Sequence, residues 1–147
     1  MNLKKVLTKD SVLLSLNADT KQGVIEEMVA FLADHEKIDD RDAALKAVLD
    51  REAKMSTGMQ HGIAIPHGKT DTVDELIVAI ALKPAGVDFE AMDEKPSTLF
   101  VMTLSPSSHS GPHIQFLAEI SKLLSQEALR ANLLAAQSEE DVLALLT

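Results

Sequence analysis

Leu76-Ile77-Val78-Ala79-Ile80-Ala81-Leu82 and Leu99-Phe100-Val101-Met102-Thr103-Leu104 decide the fold class. Each is a continuous apolar run of strand length, with no polar alternation to mark a solvent face, and so reads as a strand covered on both sides. Ile63-Ala64-Ile65, closed by Pro66, is a shorter candidate of the same kind. Between the two long runs Pro84, Gly86, Asp88 and Pro96 supply turn chemistry.

On either side of these runs the apolar spacing turns helical. Val24, Ile25, Met28, Phe31 and Leu32 follow an Asp19-Thr20 cap, with Gln22 placed for a capping-box-like return, and the pattern ends near His35. Asp39-Asp40 caps a second helix with Ala44, Leu45, Val48 and Leu49 on one side. Asp42–Lys46 and Asp50–Lys54 form i,i+4 pairs on its outer side, and Arg51 and Glu52 sit at its end. A third helix begins at Pro112, which suits the first helical position, and carries Ile114, Leu117, Ile120 and Leu124. Two more are expected over Glu127–Ala135 and from the Ser138-x-x-Asp141 cap to Leu146. Helices before and after buried strands imply an α/β fold with helices on both faces of the sheet.

Composition bounds the function. A chain of 147 residues without repeat or linker reads as a single domain over 1–147. Its 46% hydrophobic content argues against disorder. A net charge of −9 opposes nucleic-acid binding, which needs a dense Lys/Arg footprint. Cysteine is absent, which removes disulfides, thiolate nucleophiles and Cys-based metal sites. Lys4-Lys5 ahead of Val6-Leu7 faintly resembles a signal peptide, but Thr8-Lys9-Asp10-Ser11 interrupts the apolar run and no small-residue cleavage site follows. No stretch approaches the roughly 18–20 apolar residues that span a bilayer. A soluble, cytoplasmic chain with no membrane insertion is expected.

Five histidines, His35, His61, His67, His109 and His113, are the groups able to change charge near neutral pH. His67 has the most informative setting, Gly62-Ile-Ala-Ile-Pro-His67-Gly68. Pro66 restricts Ile65 to extended geometry, so His67 is expected to emerge at a strand end into a loop. Gly68 permits positive φ and close approach of a ligand or partner backbone. Imidazole serves as nucleophile, general base or metal ligand, and this setting does not choose among them. His113 falls in the first turn of the third helix, where the macrodipole disfavours imidazolium and backbone N–H groups favour an anion. Arg51 is a forked donor for phosphate or carboxylate. Ser56 and Thr57 place hydroxyls ahead of the glycine-containing approach to His67. Taken singly, each has an ordinary alternative: a solvated loop histidine, a surface first-turn histidine, a surface ion pair of Arg51 with Asp50 or Glu52, and a loop start. The pairs His61/His67 and His109/His113 superficially suggest metal ligands. Neither has a known zinc spacing with a positioned base, and Gly111-Pro112 divides the second, so no metal site is expected.

Together these residues match a pattern. Arg51-Glu-Ala-Lys-Met-Ser-Thr57-Gly58-Met-Gln-His-Gly62-Ile-Ala-Ile-Pro-His67-Gly68-Lys69 closely resembles the signature of the enzyme IIA domain of the bacterial phosphotransferase system, fructose/mannitol type, which includes the nitrogen-regulatory IIA proteins. His113-Ile-Gln-Phe-Leu-Ala-Glu-Ile-Ser121 looks like that family's second histidine-bearing helix, and the likeness runs over essentially the whole chain.

The resemblance implies a mixed β-sheet sandwiched by α-helices on both faces. It implies that His67 is the phosphorylated histidine, accepting a phosphoryl group from HPr or an HPr-like phosphocarrier. The group would pass to a IIB component in sugar uptake, or be kept as a signal to a regulatory target protein in the nitrogen-regulatory manner. His113 would orient or stabilise the phosphorylated state, Arg51 would contact phosphate or act as a clamp, and Thr57 would hydrogen-bond. His61 and His109 take no role. No cofactor or metal is implied, and the chain has no P-loop or paired-carboxylate magnesium motif.

Overall fold

In the computed structural model, which describes Met1–Thr147, five strands form one open sheet between two layers of helix. The long apolar runs become β4 (Ile77–Val87) and β5 (Ser97–Ser105), paired antiparallel with Ile80 opposite Val101 and Leu82 opposite Leu99. β1 (Val12–Leu13) lies parallel to β4 on its outer edge. β2 (Ile63–Ala64) and β3 (His67–Lys69) lie parallel to β5, one after the other. The sheet is therefore mixed, as expected.

Strand alternation sorts the core into two layers. Ile63, Ile65, Val78, Ile80, Leu82, Leu99 and Val101 face α4 (Gly111–Leu124), α5 (Glu127–Leu134) and α6 (Glu139–Leu146), where they meet Phe116, Ile120, Leu133 and Val142. Ala64, Ala79, Ala81, Phe100 and Met102 face α2 (Lys21–Asp34) and α3 (Arg41–Lys54), against Val24, Ile25, Met28, Ala44 and Val48. Each large side chain fully buried this way contributes about 1.5–3 kcal/mol. The second layer meets a row of alanines, which lets its helices approach the sheet closely.

Several local expectations change. Thr20 caps α2, but its hydroxyl accepts from the Gly23 N–H, so the third helical residue is a glycine with no side chain to return and Gln22 stands one place early. Asp40 caps α3 through the Ala43 N–H. On the outer side of α3 Lys46 pairs with Asp50, in place of Asp42–Lys46 and Asp50–Lys54. Pro84 and Gly86 lie inside β4, where the register breaks between Leu82 and Val87 because proline has no N–H for the ladder. Ser110 is the N-cap of α4, which starts one residue before Pro112. Ahead of β1 the chain forms a short helix, α1 (Leu3–Val6), and a 3-10 turn at Lys9–Ser11.

Candidate functional site

Pro66 interrupts its strand without shifting the register. Ile63 sits opposite Leu99 and His67 opposite Thr103, so the register on β5 continues unbroken through the proline. The Pro66 carbonyl still accepts from the Thr103 N–H at 3.2 Å, but its nitrogen faces β5 as well, so the missing N–H removes one ladder bond and leaves the gap between β2 and β3. His67 thus begins β3 and is not a loop residue. Alternation then places its ring on the α4 side with Ile63 and Ile65, and Gly68 on the α3 side. A Cβ on Gly68 would stand 2.9 Å from the Ala47 carbonyl carbon and 2.9 Å from the Val48 nitrogen. Gly68 is therefore required by the backbone of α3, and its φ is not positive, contrary to the expectation from sequence.

The rings of His67 and His113 lie 5.4 Å apart, tilted by 45°. His67 Nδ1 is 2.9 Å from the Ile65 carbonyl. A carbonyl only accepts, so Nδ1 carries the proton in the neutral ring and Nε2 keeps its lone pair. His113, in the first turn of α4, is 8% exposed, and its Nε2 lies 2.9 Å from Thr103 Oγ1. Burial pushes its pKa below the ordinary 6.5, and the charges of His67 and then Lys69 add to the effect. Lys69 follows His67 by two residues on the same strand face. It is a cation beside the pair, and the sequence motif alone assigns it no role.

The structure does not bring Arg51 and Thr57 into hydrogen bonds with the two rings. Arg51, near the end of α3, donates from Nη1 to the Met55 carbonyl at 2.9 Å. It forms no ion pair with Asp50 or Glu52, since Asp50 is held by Lys46 and Glu52 by Lys21 at 2.9 Å. Thr57 is buried, and both its N–H and its hydroxyl donate to the Glu52 carboxylate. The Thr57 carbonyl accepts from the Ile65 N–H at 3.1 Å, and the Ile65 carbonyl in turn receives His67 Nδ1–H. Glu52 therefore anchors the peptide that orients His67. Its signal in the sequence is an acidic residue spaced by fours from Ala44 and Val48 on the apolar face of α3, but only the fold pairs it with Lys21.

The other histidines stay apart. His35 lies against Phe31 at the end of α2. His61 is exposed, with φ of 64° and its N–H bound by Asp93. His109 bonds to Ser108. No group of three or more His, Asp or Glu side chains converges as metal ligands do.

The open mixed sheet thus carries two facing imidazoles, one at a strand start with a ring nitrogen free of protein partners and one in a helix first turn. The family model for the phosphoenolpyruvate-dependent sugar phosphotransferase system, EIIA 2, matches residues 5–147, and the chain belongs to that family. It is 45% identical to the fructose-specific EIIA component of Haloferax volcanii over 123 residues, 84% of this chain and 80% of that protein. It is 30% identical to the nitrogen regulatory protein of Escherichia coli (strain K12), over 100% of this chain and 90% of that one. Among solved structures, the nitrogen regulatory protein IIA-Ntr of Neisseria meningitidis superposes with TM-score 0.86 at 28% identity, covering 99% of both chains. IIA mannitol of Escherichia coli superposes with TM-score 0.83 at 26% identity, covering 96% of this chain and 99% of that one. The mannitol IIA chain in complex with phosphorylated IIB from the same organism superposes with TM-score 0.81 at 26% identity, covering 95% of this chain and 96% of that one.

Proposed function

We propose that this chain is a phosphoryl carrier of the phosphotransferase system, acting over 1–147 as one EIIA unit and working in the cytoplasm on His67. HPr or an HPr-like phosphocarrier supplies the group, and a IIB component takes it in sugar uptake. The observation that carries this reading is the Nδ1–H bond from His67 to the Ile65 carbonyl, which leaves Nε2 as the open lone pair beside His113.

The transfer needs little covalent machinery. The Nε2 lone pair attacks phosphorus in line as the donor's own N–P bond breaks, and the donor imidazole leaves with the electron pair of that bond. Nδ1 keeps its proton throughout, and the Ile65 carbonyl stabilises the positive charge that develops on the ring. Lys69 and the guanidinium of Arg51, which has further N–H donors beyond the one given to Met55, offset the phosphoryl charge. Thr57 works at a distance, through Ile65. Passing the group on is the same displacement, with Nε2 as leaving atom.

Incubation with phosphoenolpyruvate, the first enzyme of the system and the carrier protein tests the reading. An acid-labile, base-stable phosphoryl adduct is expected, and His67→Ala is expected to abolish it. Full labelling of that variant would overturn the site assignment.

A second reading is a phosphorylation-dependent regulator with no sugar acceptor. It is favoured by the near full-length match to proteins named nitrogen regulatory. Phosphoryl transfer from the labelled chain to a sugar-specific IIB supports the first reading. A labelled chain that no IIB discharges, but whose unphosphorylated form captures a target protein, supports the second.

A further inference from the structure

One buried polar residue lies between the two histidines. On β5, Leu99, Val101 and Thr103 share the face toward α4, and the first two belong to the apolar layer there. Thr103 puts a hydroxyl into that row and is 1% exposed. A buried hydroxyl without a partner is unfavourable, and this one has a single partner, His113 Nε2 at 2.9 Å. The main chain of Thr103 meanwhile pairs with the strand of His67, residue opposite residue. One residue thus holds both histidines, the first through its backbone and the second through its side chain.

The direction of the hydroxyl bond decides what His113 offers. If Nε2–H donated to Oγ1, the hydroxyl hydrogen of Thr103 would be buried with no acceptor. If Oγ1–H donates to Nε2, every buried polar atom of the pair is satisfied and the ring proton sits on Nδ1. His113 Nδ1 has no protein partner and is not sealed from solvent. We propose that Thr103 is a positioning residue, whose hydroxyl donates to His113 Nε2 and holds the neutral ring with its proton on Nδ1. The two histidines then share one tautomer and expose opposite atoms. His67 presents a lone pair at Nε2, and His113 presents an N–H donor to the oxygens of a phosphoryl group carried there. A lone pair on His113 in that position would repel those oxygens.

The consequence for transfer rests on the carrier reading; the tautomer does not. Long-range 1H–15N spectra of the unphosphorylated chain at pH 8, in wild type, Thr103→Val and Thr103→Ser, read the tautomer directly. A pyrrole-like Nδ1 and pyridine-like Nε2 on His113 are expected in wild type and Thr103→Ser, with a shift toward Nε2–H in Thr103→Val. Phosphoryl transfer is expected to fall about tenfold in Thr103→Val, the effect of one lost donor, and to be kept by Thr103→Ser. A proton on Nε2 in wild type overturns the proposal, and that measurement needs no variant to fold. An unchanged tautomer or an unchanged rate in folded Thr103→Val also overturns it. The expected tautomer in a chain that takes no phosphoryl group defeats the carrier reading and leaves the Thr103–His113 assignment standing.

Discussion

The two faces of the sheet are built for different work. Toward α2 and α3 the strands present Ala64, Gly68, Ala79 and Ala81 with Phe100 and Met102, an apolar layer in which the α3 backbone stands too close to Gly68 for a Cβ to fit between them. Toward α4 the same strands present larger aliphatic residues until the row reaches Thr103 and His67, where polar groups replace them beside His113. His67 and Gly68 are adjacent in the chain and belong one to each face. The layer that packs most tightly therefore fixes the strand, and the opposite layer takes the chemistry from a strand that cannot shift.

Substitution of these two neighbours should separate the faces most sharply. His67→Ala is expected to lose all phosphoryl labelling while thermal unfolding stays close to wild type. Gly68→Val should do the reverse, lowering stability by about 1–3 kcal/mol in urea titrations because the α3 backbone has no room to give. Equal loss of stability in both would break the division of labour. Arg51→Gln, which removes a charged contact, should slow transfer about ten- to hundredfold. A fall in stability with the rate unchanged would make Arg51 only the cap on Met55 that its hydrogen bond describes.

Acid provides a gentler probe. Burial holds the pKa of His113 below its unfolded value of about 6.5, so between the two values the unfolded chain binds more protons than the folded one. This contribution to stability is complete above about pH 6.5 and is lost progressively as pH falls toward the lowered pKa. Urea midpoints at pH 7.5 and 5.5 should therefore differ less in His113→Gln than in wild type. The smallest expected effect concerns the neighbouring charges. His67→Gln should raise the pKa of His113 more than Lys69→Gln does, in the order of their contributions, as read by titration of the His113 ring resonances.

Much of this was legible in the chain itself, for reasons that show where reading stops. The apolar runs at 76–82 and 99–104 are long enough to declare themselves, and Thr20, Asp40 and Ser138 cap the helices they announce. His67 and His113 meet because one lies at the start of a strand and the other in the first turn of a helix over the same face. β1 and β3 leave no mark in the sequence because two or three residues carry no period, and β3 is held by its register with β5 across Pro66. Gly68 suggests freedom in φ from the sequence alone, and only the packed α3 reveals that it is a spacer. The partners of Glu52 and Arg51 depend on which long side chains meet across the fold, and composition is silent on that. Thr103 was in plain view as the one hydroxyl inside an apolar run, but its role needs the ring of His113 beside it.

The central claim is that His67 receives the phosphoryl group on Nε2, because Nδ1 is committed to the Ile65 carbonyl. The most direct measurement is 15N–31P coupling in the phosphorylated, 15N-labelled chain. Coupling to Nε2 of His67, with Nδ1 still protonated, is the predicted result. Phosphorus on Nδ1 of His67, or on His113, would contradict it.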